Sequence, residues 1–408
     1  MSEALLWNPA DRDHQADPYS RYDLLRRTAP VWYSPLGYWV LSRYGDIAAA
    51  LADPRLISND SSGGAKVAPP GPDVLPPVGE RTAEFFTHWM TFSSTEADHR
   101  RLRRLYLAGF TPTLMRAFRY RLADLVDETL DPLRDAAGFD FMTTFAAQLP
   151  VAAICEVLGV PAELRSVMHA LATPLARAFH AVPLTNAEMA ALDEAIGAFQ
   201  TAILGFLADV RGKPGDSLIS VLASLEQTED MLSEAELVAG MANLFFGGHH
   251  TSVLYLGNGL LALLSHPEQA RELREDPAIA VTAAEELLRF DSPAQTGAAR
   301  FAAVDIELHG ETIRAGDKVL LLIGSANRDP DAYPEPDRLD LRRVNPRPLT
   351  LGRGIHTCIG APLARMEGEL AFLAILRAFP RLRLADEHIE RSDHSLFRGV
   401  RSLQVRAD

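Results

Sequence analysis

The sequence is poor in cysteine: 408 residues hold only two, Cys155 and Cys358, far apart along the chain. That argues against a disulfide framework and suits a reducing compartment. Basic charge is short as well. Forty Lys and Arg face 54 Asp and Glu, a formal net charge of −14, and such a surface repels nucleic acid and anionic membranes. No apolar run of about 18 residues stands out, so no membrane-spanning helix is expected. The first residues, MSEALLWNPADRDHQADPYSRYD, are polar and acidic and lack the basic start and apolar stretch of a secretory signal. Repeats and long low-complexity tracts are missing too. The expectation is one large domain over residues 1–408, cytoplasmic and monomeric, with neither nucleic acid nor membrane as partner.

Hydrophobic residues make up 47% of the chain, enough for a large core. Helical periodicity dominates, with helices expected at about 43–52, 97–109, 114–135, 141–158, 184–211, 233–265, 278–291 and 360–378. Short β-like runs fall at 30–33, 37–41, 300–308, 317–322 and 395–406. The fold class is mainly α with small β-sheets. Residues 59–79 hold five prolines and four glycines, which predicts a loop of the kind used as a lid or as a surface excursion. Ser233 with Glu236 three residues later marks a capping-box start. The helix that follows should run for about 32 residues, roughly 48 Å. Its middle, Phe246-Gly247-Gly248-His249-His250-Thr251-Ser252, is a poor helix interior. Such a weakness in a core helix points either to function or to a kink that admits a neighbouring helix.

Cys358 sits in Leu351-Gly352-Arg353-Gly354-Ile355-His356-Thr357-Cys358-Ile359-Gly360, just ahead of the apolar run from Ala361, with Pro362 suited to a first helical turn. A helix N-terminus stabilises a thiolate. A single loop-held thiolate is suited to be an axial ligand of haem iron, a nucleophile, or a buried inert thiol. Cys155, within Leu149-Pro150-Val151-Ala152-Ala153-Ile154 and its continuation, reads as a small buried hydrophobe. The adjacent His249 and His250 lack the H-E-x-x-H spacing of a zinc site.

The stretch around Cys358 resembles the haem-binding signature of the cytochrome P450 family, F-x-x-G-x-H/R-x-C-x-G. Gly354, His356, Cys358 and Gly360 match in register, while Leu351 stands where the family usually has Phe. Glu286-Leu287-Leu288-Arg289 is similar to the family's E-x-x-R. Asn327-Arg328-Asp329-Pro330 through Pro334-Glu335-Pro336-Asp337-Arg338 resembles the segment ahead of the cysteine loop, and Asp98-His99-Arg100-Arg101-Leu102-Arg103 resembles the H-x-x-x-R helix. The likeness runs from Asp17-Pro18-Tyr19 to the C-terminal strands.

The resemblance implies a P450 fold, with haem b buried between the central long helix and the cysteine loop. It implies Cys358 as the iron ligand, with Leu351, Gly352 and Gly360 of its loop also against the haem, Leu351 altering the packing beside the thiolate. His99, Arg103, Arg300 and His356 become propionate partners, and Glu286 with Arg289 a buried bracing pair. Arg100, Arg101 and Arg104 form either a solvated face or a basic patch that docks a ferredoxin. Gly247, Gly248, His250 and Thr251 align with the oxygen-activating segment, His250 replacing the usual acid. Thr251 bonds back towards the carbonyl of Gly247 and assists proton delivery. His250 relays protons, or points away and water does the work through Thr251, or else His249 or His250 contacts substrate or an adjacent loop. The implied reaction inserts one atom of O2 into a bulky, largely apolar small molecule, by hydroxylation or epoxidation, in secondary-metabolite or antibiotic biosynthesis. Electrons come from NAD(P)H through an external ferredoxin and ferredoxin reductase. Substrate contacts are expected from residues 60–95, from helices between 160 and 195 (Leu171, Leu175, Phe179, Val182), from Asn243–Gly247, from Ala294–Ala298 including Thr296, and from Leu396-Phe397. The alternatives are a haem-thiolate enzyme of peroxide-driven or oxidative-coupling chemistry, or a non-catalytic haem-binding sensor.

Overall fold

The structure is a computed structural model that describes residues 6–57, 79–89, 96–179, 183–210, 215, 217–224, 232–297, 299–386, 388–392, 394 and 396–407. Nearly all of the proline- and glycine-rich stretch 59–79 lies outside the described residues, as do Val182 and Ala298. Two compact units are distinguished: one of Met1–Ser58, Val126–Gln148 and Thr251–Asp408, the other of Asn59–Leu125 and Leu149–His250.

The first unit carries the β-structure. Its five-stranded sheet has the spatial order Val31–Ser34, Tyr38–Leu41, Lys318–Leu321, Arg300–Ala302, Leu56–Ile57. The second and third strands are parallel, with Trp39 opposite Val319. Arg300 pairs opposite Val319 from the other side, so the sheet fixes where that arginine emerges. A core of Trp39, Val40, Leu41, Ile47, Val319 and Leu321 packs around it. The strand expected over 300–308 is two, Arg300–Ala302 and Ile306–Leu308, in different sheets. The one expected over 395–406 is regular only at Gln404–Arg406. Upstream of Gln404 the backbone makes isolated bridges at Phe397 and Val400; at Gly399 an added Cβ would lie 2.2 Å from the Leu254 side chain, so close packing sets this path.

The central helix spans Glu234–Ser265, its first half in the second unit and the rest in the first. The capping box forms: Ser233 N–H donates to Glu236 Oε2 at 2.9 Å, and Glu236 N–H donates to Ser233 Oγ at 3.1 Å. The helix is uninterrupted through Gly247-Gly248. At Gly248 an added Cβ would lie 2.8 Å from Ile154, so here glycine is the condition of close helix packing. The second unit is otherwise built of helices, among them Glu80–Thr87, Glu96–Tyr106, Arg165–Ala178 and Asn186–Val210. Asn186–Val210 is apolar enough, by length and composition, to cross a bilayer, with mean hydropathy 1.3 over its most apolar 18 residues; the sequence reading found no such run. The helix contains Asp193, which accepts from Thr82 Oγ1 at 2.8 Å and from Arg81 at 3.1 Å. The segment expected as a single helix over 141–158 starts as a π-helical turn, Met142–Ala146, before Gln148–Leu158.

One buried charge hub holds the region ahead of the cysteine. Glu286 and Arg289, both without exposed surface, lie on helix Ala280–Phe290 and pair through two 2.7 Å bonds. Arg343 adds two bonds to the same carboxylate at 3.1 Å. Arg289 also donates to the carbonyls of Asn327 and Pro336, each at 2.8 Å. Removing one partner of a buried pair leaves uncompensated charge, at a cost of about 3–5 kcal/mol. By contrast the Arg338 side chain is 62% exposed and pairs with Glu335 at the surface, an arrangement worth at most about 1 kcal/mol. Arg343→Met should therefore destabilise the protein by about 3 kcal/mol in denaturant unfolding, whereas Arg338→Ala should change stability by less than about 0.5 kcal/mol.

Candidate active site

The cysteine loop is shaped by two short 3-10 turns, Leu349–Leu351 and Gly354–His356, with glycines in the left-handed region after the first and at the start of the second: Gly352 at φ 71° and Gly354 at φ 69°. At Gly352 a Cβ would also lie 2.9 Å from the His356 carbonyl oxygen, so a side chain is barred there twice over. Leu351, buried, accepts the Cys358 N–H at 2.8 Å through its carbonyl. Cys358 then stands exposed at the start of helix Ala361–Ala378, whose N-cap is Gly360 and whose first turn holds Pro362. A Cβ on Gly360 would lie 3.9 Å from Sγ, with no other atom nearby.

The loop is tied to the charge hub by Asn327, a residue the sequence reading placed in a motif without a role. Asn327 has no exposed surface. Its Oδ1 accepts the Leu349 N–H and its Nδ2 donates to Thr350 Oγ1, both at 2.8 Å. Thr350 in turn donates to the Leu288 carbonyl at 2.8 Å. Hence Arg289, Asn327 and the cysteine loop form one hydrogen-bonded chain.

In the same unit, burial alone pulls the Arg300 guanidinium down to about 10, and the residue is 3% exposed. An anion placed against it would restore its preference for charge. His356 is half-buried. Thr296 is 6% exposed, and its hydroxyl has no hydrogen-bond partner among the described residues. Phe397, half-buried, bridges to Ala294 in antiparallel register, which brings it beside the Thr296 segment. Thr251 is half-buried and Ser252 buried.

In the second unit, helix Glu96–Tyr106 carries His99, 6% exposed, and the half-buried Arg103. Arg101 on that helix ion-pairs with Glu236 at the start of the central helix. Burial pushes the Glu236 carboxyl up, but the Arg101 bond and the Ser233 N–H outweigh it and hold the group below its ordinary value. Arg101 is thus a structural anchor, in place of the solvated or docking arginine expected. On the central helix Asn243 is half-buried, while Gly247 is exposed and a Cβ there would meet nothing within 4 Å. The two histidines part company. His249, buried, lies flat on Phe245 with centroids 5.3 Å apart and meets His169 edge-on at 5.5 Å. His250, half-buried, lies flat on Phe246 at 5.3 Å. Phe246 in turn stacks on Phe179 at 5.2 Å, and Trp89 and Phe86 close on Phe179. Leu171 and Leu175 have no exposed surface. Cys155 is buried, and burial pushes its thiol up to about 12, which leaves it unreactive.

Glu367 gave no sequence motif, yet it shares the buried stripe of the cysteine helix with Leu363 and Ala371, four residues to either side; an acid on an apolar stripe was the available signal. Its Oε2 accepts the Ser252 hydroxyl at 2.6 Å, and Oε1 is buried without a partner among the described residues. Burial raises its carboxyl to about 8 despite that hydrogen bond, so it carries its proton at neutral pH.

A family model for Cytochrome P450 matches residues 208–405. Vitamin D(3) 25-hydroxylase of Pseudonocardia autotrophica is 37% identical, covering 95% of this chain and 93% of its own. 6-deoxyerythronolide B hydroxylase of Saccharopolyspora erythraea is 35% identical, covering 96% of each. The crystal structure of CalO2 superposes with a TM-score of 0.90 at 29% identity, covering 99% of both chains. The chain belongs to the cytochrome P450 family. It has that fold, and it is a monooxygenase of the haem-thiolate class that uses O2. Within the first unit the residues present fit haem: one exposed thiol held at a helix start, and a buried arginine whose charge a carboxylate would favour.

The raised carboxyl of Glu367 has a stability consequence. Its folded value of about 8 lies above the ordinary value of 4.5, so between those pH values the folded chain binds more protons than the unfolded one, and stability falls as pH rises. Glu367→Gln keeps an acceptor for Ser252 but removes the titration. Melting temperatures measured from about pH 5 to about pH 8 should decline less steeply in the variant than in the wild type.

Proposed function

We propose that the enzyme hydroxylates or epoxidises a bulky, largely apolar natural product, with electrons delivered from NAD(P)H by a separate ferredoxin and ferredoxin reductase, and that it works as a single P450 domain over 1–408, monomeric in the cytoplasm. The observation that carries the substrate class is the aromatic wall Phe86, Trp89, Phe179 and Phe246 beside the open face at Gly247. Relatives named for hydroxylating vitamin D(3) and 6-deoxyerythronolide B point the same way.

Haem b, when bound, supplies reductive activation of O2 and oxygen insertion. In this reading Cys358 ligates the iron, and Leu351, Gly352 and Gly360 keep its sulfur accessible. Leu351, smaller than the usual Phe, alters the packing beside that sulfur. Arg300, His356, His99 and Arg103 are the residues read as holding the propionates by charge-assisted bonds. Thr251 holds a proton-donating hydroxyl over the open face, with Gly247 and Gly248 allowing close approach. His250, flat on Phe246, carries the proton exchange that an acid performs elsewhere in the family; an imidazole titrates near pH ~6.5 and is suited to it. Asn243, Thr296 and Phe397 contact substrate, the buried Thr296 hydroxyl meeting a polar atom of an otherwise apolar molecule.

The test is a screen of lipophilic natural products for the low-spin to high-spin shift, followed by turnover of each hit with a ferredoxin system and, separately, with peroxide. Apolar polycyclic or macrocyclic hits oxidised only with the ferredoxin system support the proposal. Turnover with peroxide alone favours peroxide-driven or coupling chemistry, which the replacement of the acid by His250 keeps in play. For a substrate so found, Thr251→Ala should cut the product formed per NAD(P)H severalfold, as expected when a positioned proton-transfer group is lost, while NAD(P)H consumption continues.

A further inference from the structure

Phe397 lies on a short turn whose backbone N–H, with that of Leu396, is capped by His394 Nδ1 at 3.3 and 3.1 Å. The next residue, Arg398, is 7% exposed and lines the same small cavity as Phe397. Its Nε donates to Asp291 Oδ1 at 3.0 Å, and its NH1 donates to the carbonyls of Gln15 at 2.6 Å and Ala16 at 3.2 Å. Asp291, 7% exposed, ends helix Ala280–Phe290. It also accepts from the Tyr19 hydroxyl at 2.7 Å and from Arg391 at 3.1 Å. Burial pushes the Asp291 carboxyl up, but Arg398, Arg391 and Tyr19 outweigh it and hold it ionised. From the central helix, Asn258 donates to the carbonyls of both Asp291 and Arg398, at 3.1 and 3.0 Å. Trp7, His14, Tyr22, Gln295 and Phe397 line one small cavity of about 20 Å³, room for one water. The turn that carries Phe397 is therefore fixed, through one guanidinium, to an N-terminal arm nearly four hundred residues earlier in the chain.

We propose that Arg398 is a positioning residue of the substrate site: its fork locks the Phe397 turn to Asp291 and to the arm carbonyls of Gln15 and Ala16, so that the N-terminal arm takes part in specificity. The inference rests on the reading of Phe397 as a substrate contact. A planar fork serving a carboxylate and two carbonyls at once has no substitute in a lysine, which carries charge without that geometry.

The experiment compares two haem-coordinating probes on the holoprotein, both read by the red shift of the Soret band. Imidazole reports the iron alone; econazole, with its bulky aryl arms, also reports the apolar walls. Arg398→Lys should raise the econazole dissociation constant by about fivefold or more and leave that of imidazole within about twofold. The red-shifted Soret band of the reduced, CO-bound, thiolate-ligated form should stay intact. Phe397→Ala should show the same selective loss. If Phe397→Ala shifts econazole and Arg398→Lys does not, the positioning role is overturned while the substrate reading stands. If Phe397→Ala shifts neither probe, the substrate reading fails and the inference with it. An equal loss for both probes in Arg398→Lys marks a merely structural residue and also overturns the proposal. Should Arg398→Lys fail to accumulate holoprotein, Tyr19→Phe, which removes one hydroxyl from the arm, decides: a selective econazole loss supports the clamp and an unchanged ratio overturns it.

Discussion

A carboxylate with no exposed surface must be matched bond for bond, or the chain does not fold around it. Glu286 is such a group, and satisfying it commits a long stretch of sequence. Arg289 and Arg343 take its oxygens, and the Asp340 N–H adds a further bond at 3.1 Å. The far side of Arg289 then grips the carbonyls of Asn327 and Pro336, and Asn327 passes the constraint to the loop ahead of Cys358. The thiol is held by backbone and by polar contacts at one remove, which leaves its own surroundings open.

The C-terminal half of one short helix serves two hubs. Its second and third turns provide Glu286 and Arg289, and its C-cap provides Asp291. One hub faces the cysteine loop; the other gathers Tyr19, Arg391 and Arg398. Five residues of helix spacing thus register two remote segments of the first unit against each other. Buried charge acts here as a register device, a use for which directional pairing suits it better than apolar packing does.

Local signals were legible in the sequence and long-range ones were not. The capping box of Ser233 and Glu236, the start of the cysteine helix at Gly360-Ala361-Pro362 and the extent of the central helix all follow from nearest neighbours. Helix Pro18–Thr28 escaped, and Arg165–Ala178 was foreseen only as helix somewhere between 160 and 195, its bounds obscured by Pro174. The glycines of the central helix looked like a break, since a sequence does not display the approach of Ile154 that rewards Gly248. For the site, register motifs picked out Cys358, Glu286 and Arg289. Arg343, Asn327 and Arg398 depend on partners tens to hundreds of residues away, and no spacing rule distinguishes Arg343 from Arg338. Arg101 looked like surface charge because its partner Glu236 lies on another helix.

Cys155 deserves a last consideration. Sealed in its helix, with a thiol raised to about 12, it is silent to electrophiles at neutral pH. The chain therefore presents one accessible thiol, Cys358, the residue proposed to bind iron. On that proposal, alkylation stoichiometry becomes a gauge of cofactor loading: each equivalent of label taken up counts a molecule whose iron is missing.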